Sequence, residues 1–187
     1  MTQAGFTLIE LMVTLAVAAV LAMLAAPSIR DFIVRSQMTN LGNEFNSTIL
    51  KARNEAVNRN TCVTVCMSSS AANASPACTT SGTDWQVGWI AFLNPSCDTG
   101  LNKPDDDINM LLARPAGDPT YLLQTQHSRK KLTFNPRGAP GLGGAGRFDL
   151  IYDTVGNAMT TKYGFNICLD SLGRTRTIPN DKNCTGY

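Results

Sequence analysis

Residues 5–29 read GFTLIELMVTLAVAAVLAMLAAPSI, and Glu10 is the only charged side chain among them. Residues 11–26 carry no charge at all. As a helix, the run from residue 6 to 29 nearly spans a bilayer core. Arg30 and Arg35 follow it. A secretory signal peptide would open on a basic stretch and close on small residues before a cleavage site. Here residues 1–5 are MTQAG, without Lys or Arg, and a carboxylate stands inside the apolar run. A charge held in the bilayer costs about 2.5–3.5 kcal/mol on insertion scales, so Glu10 calls for a partner and a role.

The helical pattern continues past the apolar run. Ile33, Met38, Leu41, Phe45, Ile49, Ala52 and Ala56 recur at spacings of three to five and form one stripe. Pro27 lacks an N–H and predicts a local kink, and Gly42 is a second weak point. The cluster Asn58-Arg59-Asn60 marks the end. A helix over 6–58 would be about 80 Å long, its first half projecting and its second half packed on a sheet.

Beyond residue 60 the period changes. Residues 61–67 alternate as a strand, and 68–84 are a Ser/Ala/Thr/Gly-rich loop. Residues 85–92, WQVGWIAF, read as a buried strand, which would put Trp85 and Trp89 on one face of the core. A polar loop over 94–107 precedes short strands at 108–113, 121–124 and 132–135. A Pro/Gly loop over 136–146 leads to strands at 148–152, 164–169 and 174–178. The expected fold is α+β: a long N-terminal helix, transmembrane in its first half, packed on a disulfide-stapled β-rich head. The 15 Gly and 9 Pro of the 187 residues suit a turn-rich head.

Cys62, Cys66, Cys78, Cys97, Cys168 and Cys184 all lie beyond the apolar run. An even count after an export signal predicts disulfides in an oxidising compartment. Zinc fits poorly, because Cys62 and Cys66 are not a tight knuckle and His127 is the only histidine. Six cysteines allow 15 pairings. Sequence neighbours favour Cys66–Cys78 and Cys168–Cys184, with Cys62–Cys97 left by elimination.

Net charge is +2 overall but unevenly spread. Residues 61–128 carry two Lys/Arg against six Asp/Glu, whereas 129–187 carry nine against four. No Ser–His–Asp or Cys–His constellation is visible, so an enzyme is not expected, nor a cofactor. The stretch 141–146, GLGGAG, matches a dinucleotide-loop spacing, but it follows a Pro-rich loop and precedes a strand, the wrong context. Asp98, Asn102, Asp105, Asp106 and Asp107 lack the Gly and Glu positions of an EF-hand and read as a solvated loop.

Gly5-Phe6-Thr7-Leu8-Ile9-Glu10-Leu11 resembles the signature of type IV pilins and pseudopilins. The resemblance implies a leader at 1–5, cut between Gly5 and Phe6 by a prepilin peptidase, with Phe6 N-methylated. It implies a transmembrane and filament-core helix at 6–29, continued by an amphipathic helix at 30–60, and a head at 61–187. Glu10 becomes the assembly glutamate, pairing with the Phe6 ammonium of a neighbouring subunit; a buried pair is tolerable where a lone charge is not. The leader departs from the family in carrying no Lys or Arg.

The head narrows the resemblance. RNEAVNRN at 53–60, Trp85-x-x-Gly88-Trp89-Ile90-x-Phe92, Phe134-x-x-x-Gly138 and Gly173-Arg174 resemble the FimT/FimU/GspH branch. That branch implies two sheets packed on the helix, and other pilins or pseudopilins as partners. Its members are minor pilins or type II secretion pseudopilins, anchored by a single pass in the bacterial inner membrane with the head in the periplasm. In FimT-like pilins a C-terminal GRxR element is associated with binding double-stranded DNA during natural transformation. Here that element is Gly173-Arg174-Thr175-Arg176. If strand alternation puts Arg174 and Arg176 on one face, they would meet phosphates together. Arg129, Lys130, Lys131 and Lys182 are further candidates, with Arg137, Arg147 and Lys162 in the same basic region. The alternatives are a solvent-facing strand without a ligand, a GspH-type pseudopilin, and a pilus-tip adhesin.

Overall fold

The computed structural model describes residues 5–125, 129–141, 145–152 and 162–185, apart from the side chains of 25–27. The chain divides into two compact units, Met1–Gln37 and Met38–Tyr187. One helix, α1 (Leu8–Asn58), runs through both. Eight strands follow: β1 (Cys62–Met67), β2 (Trp89–Asn94), β3 (Met110–Arg114), β4 (Tyr121–Thr125), β5 (Lys131–Phe134), β6 (Gly146–Tyr152), β7 (Phe165–Leu169) and β8 (Thr175–Pro179). His127 and the centre of the GLGGAG stretch lie outside the described residues.

In the first unit the helix begins at a capping residue. Thr7 Oγ1 accepts a hydrogen bond from the Glu10 N–H at 3.3 Å, the first half of a Thr-x-x-Glu capping box. Phe6, Leu8, Ile9, Leu11 and Met12 are exposed. Ile33 is also exposed, at 50%, so the predicted stripe does not extend to it. No single helix among the described residues is long and apolar enough to cross a membrane. Leu8–Leu24 and Ser28–Asn58, taken together across the break that holds Pro27, meet that length and composition. The Pro27 side chain itself is outside the described set.

In the second unit the strands form two antiparallel four-stranded sheets, ordered β3-β2-β1-β5 and β4-β6-β7-β8. Met38, Leu41, Phe45, Ile49, Ala52 and Ala56 are all buried. Phe45 is the central knob. Its ring centroid lies 5.3 Å from Trp85, 5.6 Å from Trp89 and 4.7 Å from Phe148, so one helical side chain meets residues of both sheets. Trp89 Nε1 donates to Thr48 Oγ1 on the helix at 3.1 Å, and Trp85 Nε1 donates to the Arg129 carbonyl at 2.9 Å. Each buried indole N–H therefore has an acceptor. Gly42 is no weak point. A methyl group there would stand 2.6 Å from the Phe165 ring, so its missing side chain lets helix and sheet approach closely.

Residues 85–92 are not one strand. Asp84 Oδ1 accepts from the Gln86 N–H at 3.0 Å and starts a 3-10 turn, Trp85–Val87. Gly88 ends the turn at φ 114°, where a Cβ would strike the carbonyl oxygens of Ser68 and Arg114. Only then does β2 begin. Both tryptophans are nonetheless fully buried, as the core role requires. Asp84 Oδ1 also accepts from the Leu123 N–H of β4 at 2.9 Å, which ties the turn before β2 to the second sheet.

Strands β1 and β2 are buried at every position. One face of this sheet meets α1. Loops 68–84 and 95–107 cover the other, where Cys66, Ala71, Ile90 and Phe92 pack with Cys78, Leu101 and Met110. Disulfides Cys66–Cys78 and Cys62–Cys97 tie those loops to β1. The outer face of the second sheet is covered in the same way by residues 180–185, tied by Cys168–Cys184. Asn166 Nδ2 donates to the carbonyls of Asn180 and Lys182, both at 3.2 Å, and Arg147 Nη1 donates to Asn183 Oδ1 at 3.1 Å.

Candidate functional site

The six cationic side chains proposed from sequence differ in exposure and in what they bond. Arg129 is half-buried, and burial pushes its guanidinium pKa down. Its backbone carbonyl receives the Trp85 indole. Lys130 Nζ donates to the Thr80 carbonyl at 2.6 Å. Lys131 Nζ donates to the carbonyls of Thr99 and Leu101 and to Asn102 Oδ1, at 3.0, 2.7 and 2.7 Å. Burial lowers the Lys131 pKa, and the nearby Asp98 charge partly offsets this. The Lys130 and Lys131 side chains fasten loops around β1 and β5. Lys131 fills the oxygen-rich turn of the acidic loop with its own cation. Among the described residues no three His, Cys, Asp or Glu side chains converge to hold a metal ion.

The remaining three, Arg174, Arg176 and Lys182, lie along β8 and its flanks. Arg174 immediately precedes the strand, which starts at Thr175. Asp170 positions it. Asp170 Oδ1 accepts the N–H groups of Leu172 and Arg174 at 2.9 and 2.8 Å, and Oδ2 accepts Arg174 Nε at 2.7 Å. Burial alone would raise the Asp170 pKa, but these bonds and the Arg174 charge hold it below the usual carboxylate range. The Asp170 side chain is 2% exposed, whereas that of Arg174 is 62% exposed. Arg176 is exposed in β8, opposite Cys168 in the ladder. Lys182 is 67% exposed and sits 3.4 Å from Asp181. Arg147 is only 19% exposed, held by Asp149 at 2.5 Å and by Asn183, so it anchors the tail.

The turn before Arg174 meets a second turn. Gly173 (φ 80°) abuts the Gly138 carbonyl (Gly138 φ 77°), and a Cβ at Gly173 would run into that oxygen. Arg53 of α1 lies beside both glycines, and its Nε donates to the Gly138 carbonyl at 3.1 Å. Three sequence motifs thus converge here: the helix end, the Phe134–Gly138 element and the Gly173–Arg174 element. Separation in the chain hid this meeting, although the paired glycines were its visible signal. The Asp-x-x-Gly-Arg pattern likewise marks the Asp170 turn, and Thr7-x-x-Glu10 marks the helix cap.

Residues 41–173 match the protein family described as Type II transport protein GspH. The chain belongs to the GspH family. Residues 1–26 match the prokaryotic N-terminal methylation motif. The helix–two-sheet fold of this GspH-family chain is also that of the type IV minor pilin FimU of Pseudomonas aeruginosa, solved in two crystal forms. One form aligns with TM-score 0.57 and 17% identity over 82% of this chain and 97% of FimU. The other gives TM-score 0.54 and 16% identity over 79% and 97%. The fimbrial protein EcpC of Eikenella corrodens is 49% identical over 41 residues, 22% of this chain and 27% of that relative. The match therefore spans about a quarter of EcpC. The chain is thus a GspH-family protein with a pilin-type methylation motif and the fold of FimU. Its methylation motif and N-terminal helix fit a membrane-anchored pilus component.

Proposed function

We propose that this chain is a minor type IV pilin that primes or joins a pilus. One observation carries the reading: a methylation-motif segment at 1–26 and a GspH-type head at 41–173 occupy a single chain. In this reading a prepilin peptidase removes residues 1–5 at the Gly5–Phe6 bond, and Phe6 is N-methylated. Residues 6–29 pass once through the inner membrane, residues 30–60 continue the helix and residues 61–187 stand in the periplasm. Glu10 then meets the Phe6 ammonium of a neighbouring pilin. Complementing a deletion strain with Glu10→Ala tests this. Leader cleavage should persist while surface pili fall; unimpaired pili would overturn the assembly role. Lost enzyme secretion with intact pili would instead favour the type II pseudopilus.

The exposure of Arg174, Arg176 and Lys182 beside β8 supports a second function, contact with double-stranded DNA. Such contact would be phosphate-directed, tolerant of sequence and weakened by salt. The full chain in detergent should bind any duplex at low salt, and Arg174→Ala with Arg176→Ala should weaken it. Absence of binding by the unaltered chain would remove this reading and favour a protein- or surface-binding tip role.

A further inference from the structure

Arg174 immediately precedes β8, and Asp170 holds its Nε at the turn. Its close neighbour across the fold is another turn. The Gly173 and Gly138 backbones touch, and both glycines have positive φ, at 80° and 77°. At Gly173 this contact is open only to a residue without a Cβ. Each glycine has an arginine as its chain neighbour: Arg137 precedes Gly138, and Arg174 follows Gly173. Both arginines are exposed. The two turns come from different sheets, so no reading along one strand brings these cations together.

The backbone under them is rigid. Asn135 Oδ1 accepts the N–H groups of Arg137 and Ala139 at 2.9 and 3.2 Å, which fixes the first turn. Asp170 fixes the second. Arg53, bonded to the Gly138 carbonyl, packs against both glycines from α1. Fixed backbones lower the ordering cost of binding and leave only the arginine side chains to settle. Guanidinium groups suit phosphate oxygens because they offer paired N–H donors in one plane.

We propose that Arg137 and Arg174 form a two-guanidinium phosphate subsite across the touching turns. It deepens the DNA reading and rests on it. Arg176 and Lys182 would then follow the same backbone further along β8, so Arg137 extends the cationic track onto the other sheet.

The test uses the full chain in detergent and a fluorescent 30-base-pair duplex, with anisotropy titrations at several salt concentrations. Arg137→Gln should weaken binding about tenfold at 0.1 M salt and reduce the slope of log K against log salt by about one. Arg174→Gln should do likewise. The double variant should lose less than the product of the two, because the residues share one phosphate. Arg137 is exposed on a turn, so its variant should keep the melting temperature of the parent, which verifies folding. Unchanged affinity and slope for Arg137→Gln, with Arg174→Gln still weakened, would overturn the subsite and leave the DNA reading standing. Failure of the unaltered chain to bind at low salt would overturn both.

Discussion

Asp170 Oδ2 and Arg174 Nε lie 2.7 Å apart, with the carboxylate buried and most of the guanidinium in solvent. The pair is therefore asymmetric. The carboxylate organises the turn, and the arginine presents its outer end. Because Asp170 is held below the ordinary carboxylate range, its contribution to stability is complete above the unfolded value of about 3.9. It is lost as pH falls through the lower folded value. Asp170→Asn should destabilise the head by roughly 1–3 kcal/mol at neutral pH, since hydrogen bonds to a charged acceptor are weakened or lost. The gap in melting temperature between parent and variant should stay level from about pH 7 to 5 and close below about pH 4. A gap that widens in acid would contradict this placement of Asp170.

Lys131 explains how the acidic loop is held by an internal cation. Three oxygens within 3.0 Å surround its ammonium, and removing it would leave them without that donor. Lys131→Met should cost about 2 kcal/mol and speed amide exchange in residues 98–102. Millimolar calcium should not move the melting temperature of the unaltered chain. A calcium-dependent rise would show that the loop takes a metal beside the lysine.

Gly88 separates the 3-10 turn from β2. At φ 114° an added Cβ would sit 2.7 Å from the Ser68 carbonyl oxygen and 2.8 Å from that of Arg114. Neither backbone can yield, since Ser68 N–H bonds the Gly88 carbonyl and β3 pairs with β2. Gly88→Ala should destabilise by about 2–4 kcal/mol, combining strain with overlap. Chemical denaturation followed by tryptophan fluorescence reports it directly, because Trp85 and Trp89 flank the site. A loss below 1 kcal/mol would mean the turn relaxes more freely than its contacts imply.

What the sequence made legible was whatever has a short period or a local motif. The stripe through Met38, Phe45 and Ile49 is read from helical spacing, and the alternation of β1 from residue spacing. Trp85 misleads because its aromatic neighbourhood looks strand-like, while the deciding features are the Asp84 cap and the positive φ of Gly88. Ile33 has the right spacing, but spacing does not supply a packing partner. Lys130 and Lys131 look like surface cations until long-range acceptors appear, and charge counting cannot find those. Arg174 differs again: its side chain is exposed as expected, but its partner Asp170 is set by a turn, which strand alternation does not describe.

Gly42 sets two opposing effects against each other. Replacing glycine by alanine inside a helix ordinarily gains about 1 kcal/mol. Here the new methyl would lie 2.6 and 2.8 Å from Phe165 ring carbons and 3.3 Å from Leu150 Cδ2. Phe165 pairs with Leu150 in the β6–β7 ladder, so the ring cannot retreat without disturbing that sheet. Overpacking of this kind costs about 1–3 kcal/mol, which outweighs the helical gain. Gly42→Ala should therefore be net destabilising, by about 1 kcal/mol. Phe165→Leu should relieve the overlap, so Gly42→Ala should become neutral or stabilising in that background, a coupling read from a double-mutant cycle. Additive losses would mean that Phe165 is not what excludes a side chain at residue 42.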